Sequence, residues 1–525
     1  MAEYDLLIIN GVLVTDEELG DFDIAVKNEK IEALRPRGGF SGVKAERTID
    51  AEGGYVMPGE ATRILSRRLV APYLLTSIPH PARLTSKSLL HVELLLHLTL
   101  NPVSQLGPLI DHSAGSRSAI AGGTTTIITF APQRKTEPSL LDTLRATHAK
   151  AAGNCYCDYA FHLLVANPSA TALSEFPVLR TSEGISSLKI YMTYEALQLA
   201  DGQILDVLLA ARTHGLTTMI HAENGGVVAW LTRQLEQRAR FAPKYHAAAH
   251  PPAAESEATF RAIALAEIVD APILIVHVSS PLAARHIREA RQRERALPVF
   301  AETCPQYLFL TRADLDQPGF EGAKCVCAPP PREGAADHEA IWEGLRDGTF
   351  AVLSSDHCPF SFDDRVSGKK SVVSEEFPVG RFKAIPNGIP GVETRLALVL
   401  GAGRLDLRRF VQVTAADPAR LYGLWPRKGA LEPRVSDADL TIWYPEGAMG
   451  QFVLRNEMLH HDVDYTPYEG REFANWPRYT VLRGKVVWDR DGGGVIGGKG
   501  YGQFLRRDAS SLARSRFAGE WDVEA

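Results

Sequence analysis

The sequence predicts an α/β protein, a closed (β/α)8 barrel joined to a small β domain built from both chain ends. Three observations carry this expectation. From Thr124 to about residue 355, short apolar runs of strand length alternate with amphipathic helical stretches, the rhythm of parallel strands joined by crossover helices. Both ends read instead as short strands and turns. The chain has 525 residues, 45% of them hydrophobic, ample for a barrel of roughly 250 residues plus a second unit.

The elements follow in order. Residues 4–35 alternate apolar and polar positions around Asn10 and Gly11 and around a second turn at residues 18–21, the pattern of hairpins in a small antiparallel sheet. Residues 54–58 (GYVMP) are expected to form the first barrel strand. Seven more are expected at TTTIITF (124–130), CDYAFHLL (157–164), SLKIYM (187–192), TTMIHA (217–222), PILIVHV (272–278), VFAETC (299–304) and FAVLSS (350–355). Helical periodicity fills the intervals, for example at residues 140–152, 204–215, 256–270 and 281–295. An open doubly wound sheet is the rival arrangement. Its glycine-rich fingerprint is absent, because Gly122 and Gly123 precede a strand instead of opening a helix. The expected division is a small β-sandwich domain from residues 1–56 and 428–500, the barrel over 57–427, and a tail over 501–525. The last residues, rich in Arg, Ser and Asp, are expected to be loose or to pack on a neighbouring subunit.

Charge and cysteine content narrow the function classes. A net charge of −6 gives no electrostatic reason to expect nucleic acid or an anionic membrane as partner, and a small neutral or weakly acidic substrate fits better. The opening MAEYDLLIINGVLV lacks a basic segment followed by an apolar core, so cytoplasmic residence is the expectation. Six cysteines are few for this length, and in a reducing compartment they are expected to be buried thiols. The pairs Cys155/Cys157 and Cys325/Cys327 are spaced too closely for a zinc knuckle.

In such a barrel the active site lies where the strands end at their C-terminal side, and four polar residues end or follow apolar runs there. His221 closes TTMIH and His277 closes PILIVH. Two neutral imidazoles in equivalent positions of adjacent strands suit a borderline metal such as zinc, although one such histidine alone reads equally as a hydrogen-bonded core residue. Asp356 follows FAVLSS and could act as general base and then as proton donor to a leaving amine; capping of a helix is its alternative. Lys189 in SSLKIYMTY is the least expected member, because an ammonium is costly at the end of a buried strand. Converted by carbon dioxide into a carbamate, it would offer two anionic oxygens able to bridge two divalent ions. A lysine reaching out to solvent is the alternative.

The ordered series SLKIYMTYE, MIHAENG, LIVHVSS, AETCPQYL, SSDHCPF, IPNGIPGVETRL, LYGLWPRKGAL and DYTPYEGR strongly resembles the dihydropyrimidinase and hydantoinase branch of the cyclic amidohydrolases, over about residues 4–58 and 113–507. The resemblance implies a TIM-like, metal-dependent hydrolase barrel with a small β-sandwich, assembled as a homotetramer and opening a 5,6-dihydropyrimidine or hydantoin ring by metal-activated hydroxide. It implies Lys189 as the carbamylated bridge, His221 and His277 as ligands of one Zn2+, and Asp356 as ligand of the other and acid/base. Tyr194 would bind the ring carbonyl and stabilise the oxyanion. Asn387 would contact the ring amide, through backbone atoms, and Ala328, where the family more often has serine, would contact substrate through its main chain.

One corner of that pattern is missing. The family continues from its first barrel strand into a His-x-His pair, whereas residues 60–112 hold His80, His91, His97 and His112 without that spacing. Fourteen of these 53 residues are leucine and only three are acidic, a composition foreign to the rest of the chain that points to a splice alteration or translated intron. Four of six ligands therefore remain. One zinc or none is expected, activity is expected to be impaired, and the first barrel strand is expected to be disturbed. The alternatives are a non-catalytic assembling relative of the same fold, like the neuronal collapsin-response proteins, and allantoinase or dihydroorotase chemistry.

Overall fold

The N-terminal alternation forms one long strand where a hairpin was expected. In the computed structural model, which describes residues 2–64, 112–517 and 519–523, β1 (Tyr4–Val14) runs straight through Asn10 and Gly11. Asn10 has φ 57°, and the register with β2 (Leu19–Lys27) shifts between Ile8 and Gly11. Asn-Gly supplies positive φ for a β-bulge as readily as for a turn. Gly11 is also required sterically, since a Cβ there would lie 2.6 Å from Val56 Cγ2. The reversal itself falls at Thr15–Glu18, where the Thr15 N–H donates to the Glu18 carbonyl at 2.8 Å.

β3 (Lys30–Pro36) pairs antiparallel with β2, while β4 (Ala45–Asp50) and β5 (Tyr55–Pro58) lie parallel to β1. This sheet is mixed where a purely antiparallel one was expected. Its strands bury Leu6, Ile8, Ile24, Val26 and Val56 on one face, and Tyr4, Leu7, Ala25 and Phe40 on the other.

The GYVMP run thus belongs to the small sheet, a correction to its expected place as first barrel strand. The barrel begins with β6 (Glu60–Ile64), every residue of which is buried. The apolar stretch is divided at Gly59, whose N–H donates to the Asp439 carbonyl at 2.8 Å and whose Cα passes so close to Thr125 and Asp439 that a side chain would collide. The expected disturbance of the first barrel strand is not observed. The segment from residue 60 supplies that strand, and His80, His91 and His97 lie outside the described residues.

The other seven barrel strands fall where the sequence put them. β7 (Thr124–Pro132), β8 (Asp158–Leu164), β9 (Ser187–Tyr191), β10 (Thr217–His221), β11 (Ile273–Ile275), β12 (Val299–Thr303) and β13 (Val352–Leu353) follow β6 in one parallel sheet in chain order. A parallel bridge between Ile64 and His357 brings its ends together. Thr62 Oγ1 secures the seam by accepting from Ser355 N at 2.9 Å, and Ser355 Oγ donates to the Arg63 carbonyl at 2.7 Å. Alternate residues face opposite sides of each strand. Ile127, Phe161, Leu188, Ile190 and Ile220 pack with the helix layer, and Ile128, Phe130, Ala160, Met219 and Leu274 fill the interior.

The chain then returns to the first sheet. β14 (Leu440–Trp443) pairs with β5, β15 (Phe452–Val453) pairs with β16 (Glu472–Phe473), and β17 (Pro477–Leu482), β18 (Lys485–Asp489) and β19 (Gly494–Val495) complete the edge. The described C-terminal residues pack on their own barrel. Tyr159 N donates to the Gln503 carbonyl and Leu505 N to the Tyr159 carbonyl, at 2.9 and 2.8 Å. They occupy ground left open because β8 and β9 pair only from Leu163 and Leu164 onward. Arg507 is buried and donates to Ser187 Oγ at 2.8 Å, and Arg516 pairs with Asp270 at 2.7 Å. All six cysteines are buried and unbridged. Among the described residues no helix is long and apolar enough to cross a membrane.

Candidate active site

His221, the last residue of β10, is fixed from behind. Its Nε2 lies 2.8 Å from Glu223 Oε2, and the other oxygen of Glu223 lies 2.9 Å from His250 Nδ1. Burial pushes the Glu223 carboxyl up, but the two imidazoles outweigh it and hold the group well below the usual carboxylate range. An ionised Glu223 accepts the Nε2 proton of His221, which leaves His221 Nδ1 as a lone pair. A carboxylate behind an imidazole in this way is the usual support of a metal-binding histidine. Burial brings His221 down to about 4, against the pull of Glu223, so the ring is neutral near pH 7.

His221 Nδ1 faces His277 Nε2 at 2.9 Å. His277 follows β11 with φ 42°, a left-handed conformation in which histidine is among the better tolerated residues. Burial first, then the charges of His221, Lys189 and Arg63, hold its ring well below the usual histidine value. Lys189, central in β9, is fully buried, and its Nζ has no hydrogen-bond partner among the described residues. The solvent-reaching alternative is therefore excluded. Burial, then Arg63, depress the amine well below the ordinary lysine range, with Asp356 and Glu302 opposing.

Asp356 follows β13 with φ 44° and precedes irregular chain, so it caps no helix. Its Oδ1 lies 2.7 Å from Arg63 Nη2, and the same nitrogen lies 2.8 Å from Glu302 Oε1. Arg63 and Glu302 side chains are wholly buried. Burial pushes Asp356 up to about 6 even though Arg63 opposes the shift.

Tyr194 sits half-buried with φ 65°, its ring centroid 5.4 Å from that of His221. Its hydroxyl accepts from Asn387 Nδ2 at 3.2 Å. The Ala328 and Asn387 segments are tied together by Lys369, which donates to the Val326 and Pro386 carbonyls at 2.9 and 2.7 Å. Ala328 is buried two residues beyond Val326 in that segment.

The structure therefore joins Lys189, His221, His277 and Asp356 at one end of the barrel and pairs Tyr194 with Asn387. It adds four residues that the sequence reading did not name: Arg63, Glu223, His250 and Glu302. A signal existed for two of them. Glu223 stands two residues after His221, and Glu302 interrupts the apolar VFAET strand, where an unpaired carboxylate is costly. His250 has no local signal, and Arg63 lies in the stretch that departs from the family pattern.

Among the described residues no three His, Cys, Asp or Glu side chains form a ready metal site. The convergent His221 Nδ1 and His277 Nε2, with the buried Lys189 amine beside them, do fit one ion once the lysine carries an anionic group. The position at Asp356 does not fit a second, because a guanidinium already stands there.

This barrel with polar groups gathered at its strand ends defines a class, and comparison with known proteins agrees. Residues 112–487 match the Amidohydrolase family. The chain belongs to that family and is a dihydropyrimidinase-like hydrolase within it. The D-hydantoinase of Ralstonia pickettii is 37% identical over 508 residues, covering 96% of this chain and 99% of the relative. A solved D-hydantoinase superposes with a TM-score of 0.82 at 34% identity, over 96% of this chain and 99% of that one. The dihydropyrimidinase of Brevibacillus agri NCHU1002 gives 0.81 at 32% identity, over 96% and 98%.

Proposed function

We propose that this chain hydrolyses a C–N bond of a small cyclic amide, a 5,6-dihydropyrimidine or hydantoin ring, with impaired activity. The observation that carries the reading is the facing pair His221 and His277, 2.9 Å apart with His221 held by Glu223, beside the buried Lys189, whose Nζ has no hydrogen-bond partner among the described residues. These three residues, with Lys189 as a carbamate, would hold Zn2+, and a divalent ion bound there supplies Lewis-acid polarisation and favours the ionised form of water. The remaining steps belong to the chain. Tyr194 donates its hydroxyl proton to the ring carbonyl oxygen as negative charge develops, and Asn387 keeps that hydroxyl in place. Asp356 takes the proton released by attacking water and returns it to the ring nitrogen as the C–N bond breaks, giving an open-chain amide acid. Ala328 would offer main-chain contacts to the ring.

Impairment follows from two features. His-x-His is absent from the sequence, and Asp356 spends one oxygen on Arg63. The pairing with Arg63 also favours a second reading, a non-catalytic relative that assembles without turning over substrate. Cytoplasmic residence and a homotetramer accompany both readings. The deciding experiment follows dihydrouracil and hydantoin opening by the full chain after loading with zinc and bicarbonate. Slow, zinc-dependent opening that disappears in His221→Asn supports the enzyme. No opening at any zinc concentration supports the second reading, and turnover matching an intact D-hydantoinase overturns the claim of impairment.

A further inference from the structure

We propose that Arg63 stands in for a second metal ion, so that this barrel binds one divalent cation per chain and keeps Asp356 out of its coordination. The inference rests on the single-ion position proposed above at His221, His277 and Lys189. Its own observation is the placement of the guanidinium. One nitrogen, Nη2, touches carboxylates from two different strand ends, Asp356 Oδ1 at 2.7 Å and Glu302 Oε1 at 2.8 Å. A single cationic atom bridging two buried carboxylates does electrostatically what a cation in that corner would do, and the side chain is wholly buried. A second cation entering that corner while the guanidinium stays would meet a buried like charge, which is strongly unfavourable.

The charges around this corner point the same way. Glu223 is met separately by His221 and His250, and Arg63, Lys189, Glu302 and Asp356 face one another beside Tyr191, His162 and Cys304. Among these four groups Arg63 offsets the charge of one of the two carboxylates it touches with no ion present. With Lys189 as a carbamate the four carry two negative charges in excess, which one divalent ion cancels and two ions overshoot. A guanidinium offers no open coordination position and activates no water, so the substitution preserves the charge of the corner and abandons its chemistry.

The test is elemental analysis of the full chain after equilibration with excess zinc and 13C-bicarbonate and removal of free metal. One zinc per chain is expected, together with one carbamate carbon resonance that is absent from Lys189→Arg. Asp356→Asn, nearly the same shape, is expected to retain one zinc, and His277→Asn to hold less than a tenth of one. Two zinc ions per wild-type chain, none at all, or loss of the zinc in Asp356→Asn would overturn the inference. The wild-type ratio decides the matter even where a variant fails to fold. One bound zinc without ring opening leaves this inference standing and sinks the proposed activity, so the two are separable.

Discussion

Glu223 shapes the candidate site without facing the ligand position. It accepts from His221 and His250 at 2.8 and 2.9 Å, and so decides which nitrogen of His221 is left open toward His277. A glutamine keeps the shape but presents an N–H to one of those imidazoles and disturbs the tautomer. Glu223→Gln is therefore expected to weaken zinc binding about 10- to 100-fold, read by competition with a chelator; unchanged affinity would show that Glu223 does not orient the ligand. Tyr194 tests the other half of the site. Tyr194→Phe removes the donor proposed for the developing oxyanion and is expected to lower kcat about 100- to 1,000-fold with little change in KM. Equal kcat in the two proteins would remove Tyr194 from the mechanism. Tyr194, His277 and Asp356 all have positive φ, a conformation that costs about 1–3 kcal/mol at each non-glycine position. The surrounding barrel holds all three strained residues at the same end.

At the scale of elements, β6 determines whether the barrel closes. It is short and wholly buried, it carries Arg63, and its seam to the chain after β13 depends on Thr62. Thr62 Oγ1 donates to Ser355 Oγ at 3.1 Å and accepts from Ser355 N at 2.9 Å. Thr62→Val keeps the volume and deletes both bonds, leaving a buried N–H unsatisfied. A loss of about 1–3 kcal/mol is expected, measured as a shift of the urea midpoint at constant slope. A change within error of zero would mean that the strand is held by packing alone. The neighbouring elements show why periodicity reads some strands and misplaces others. β7 to β12 are bounded by turns and helices, so each apolar run locates its strand, although β11 covers only part of its run. Residues 54–64 run through two strands with only Gly59 between them, and tertiary contacts divide the stretch there between two sheets.

The two sheets are joined by a buried cluster of charges. Lys428 Nζ lies 2.7 Å from Asp158 Oδ2, 2.7 Å from Asp439 Oδ2 and 3.0 Å from Asp437 Oδ2, and Arg483 pairs with Asp158 from the other side. Asp158 opens β8 in the barrel and Asp439 immediately precedes β14, so the cluster ties one sheet to the other. Burial pushes Asp437 up, but Lys428, Lys30 and Arg427 outweigh it and bring the group from 3.8 down to about 2. A depressed carboxyl stabilises the folded state above its unfolded value near 4 and loses that contribution as pH falls through about 2. At neutral pH the linkage is worth roughly 2 kcal/mol. The stability difference between wild type and Asp437→Asn is expected to be constant above about pH 5 and to shrink between pH 4 and 2, followed by urea unfolding across that range. A difference independent of pH would show that Asp437 does not titrate in this window.

What the sequence determined by itself is what depends on neighbours along the chain. Alternating strands and helices, the placement of Lys189, His221, His277 and Asp356 at or near strand ends, and the family pattern are all local, and the barrel that they predict is the barrel observed. The His221–Glu223 pair was within reach of the same reading, being two residues apart. What only the tertiary structure decided is how charges meet across the barrel. Arg63 and Glu302 are 239 residues apart, and no local pattern says that a basic residue in an atypical segment will enter the interior and rest on two carboxylates. Their meeting follows from closure of the sheet by β6, since excluding water from the interior makes an unpaired Asp356 and Glu302 costly and a buried guanidinium between them stable.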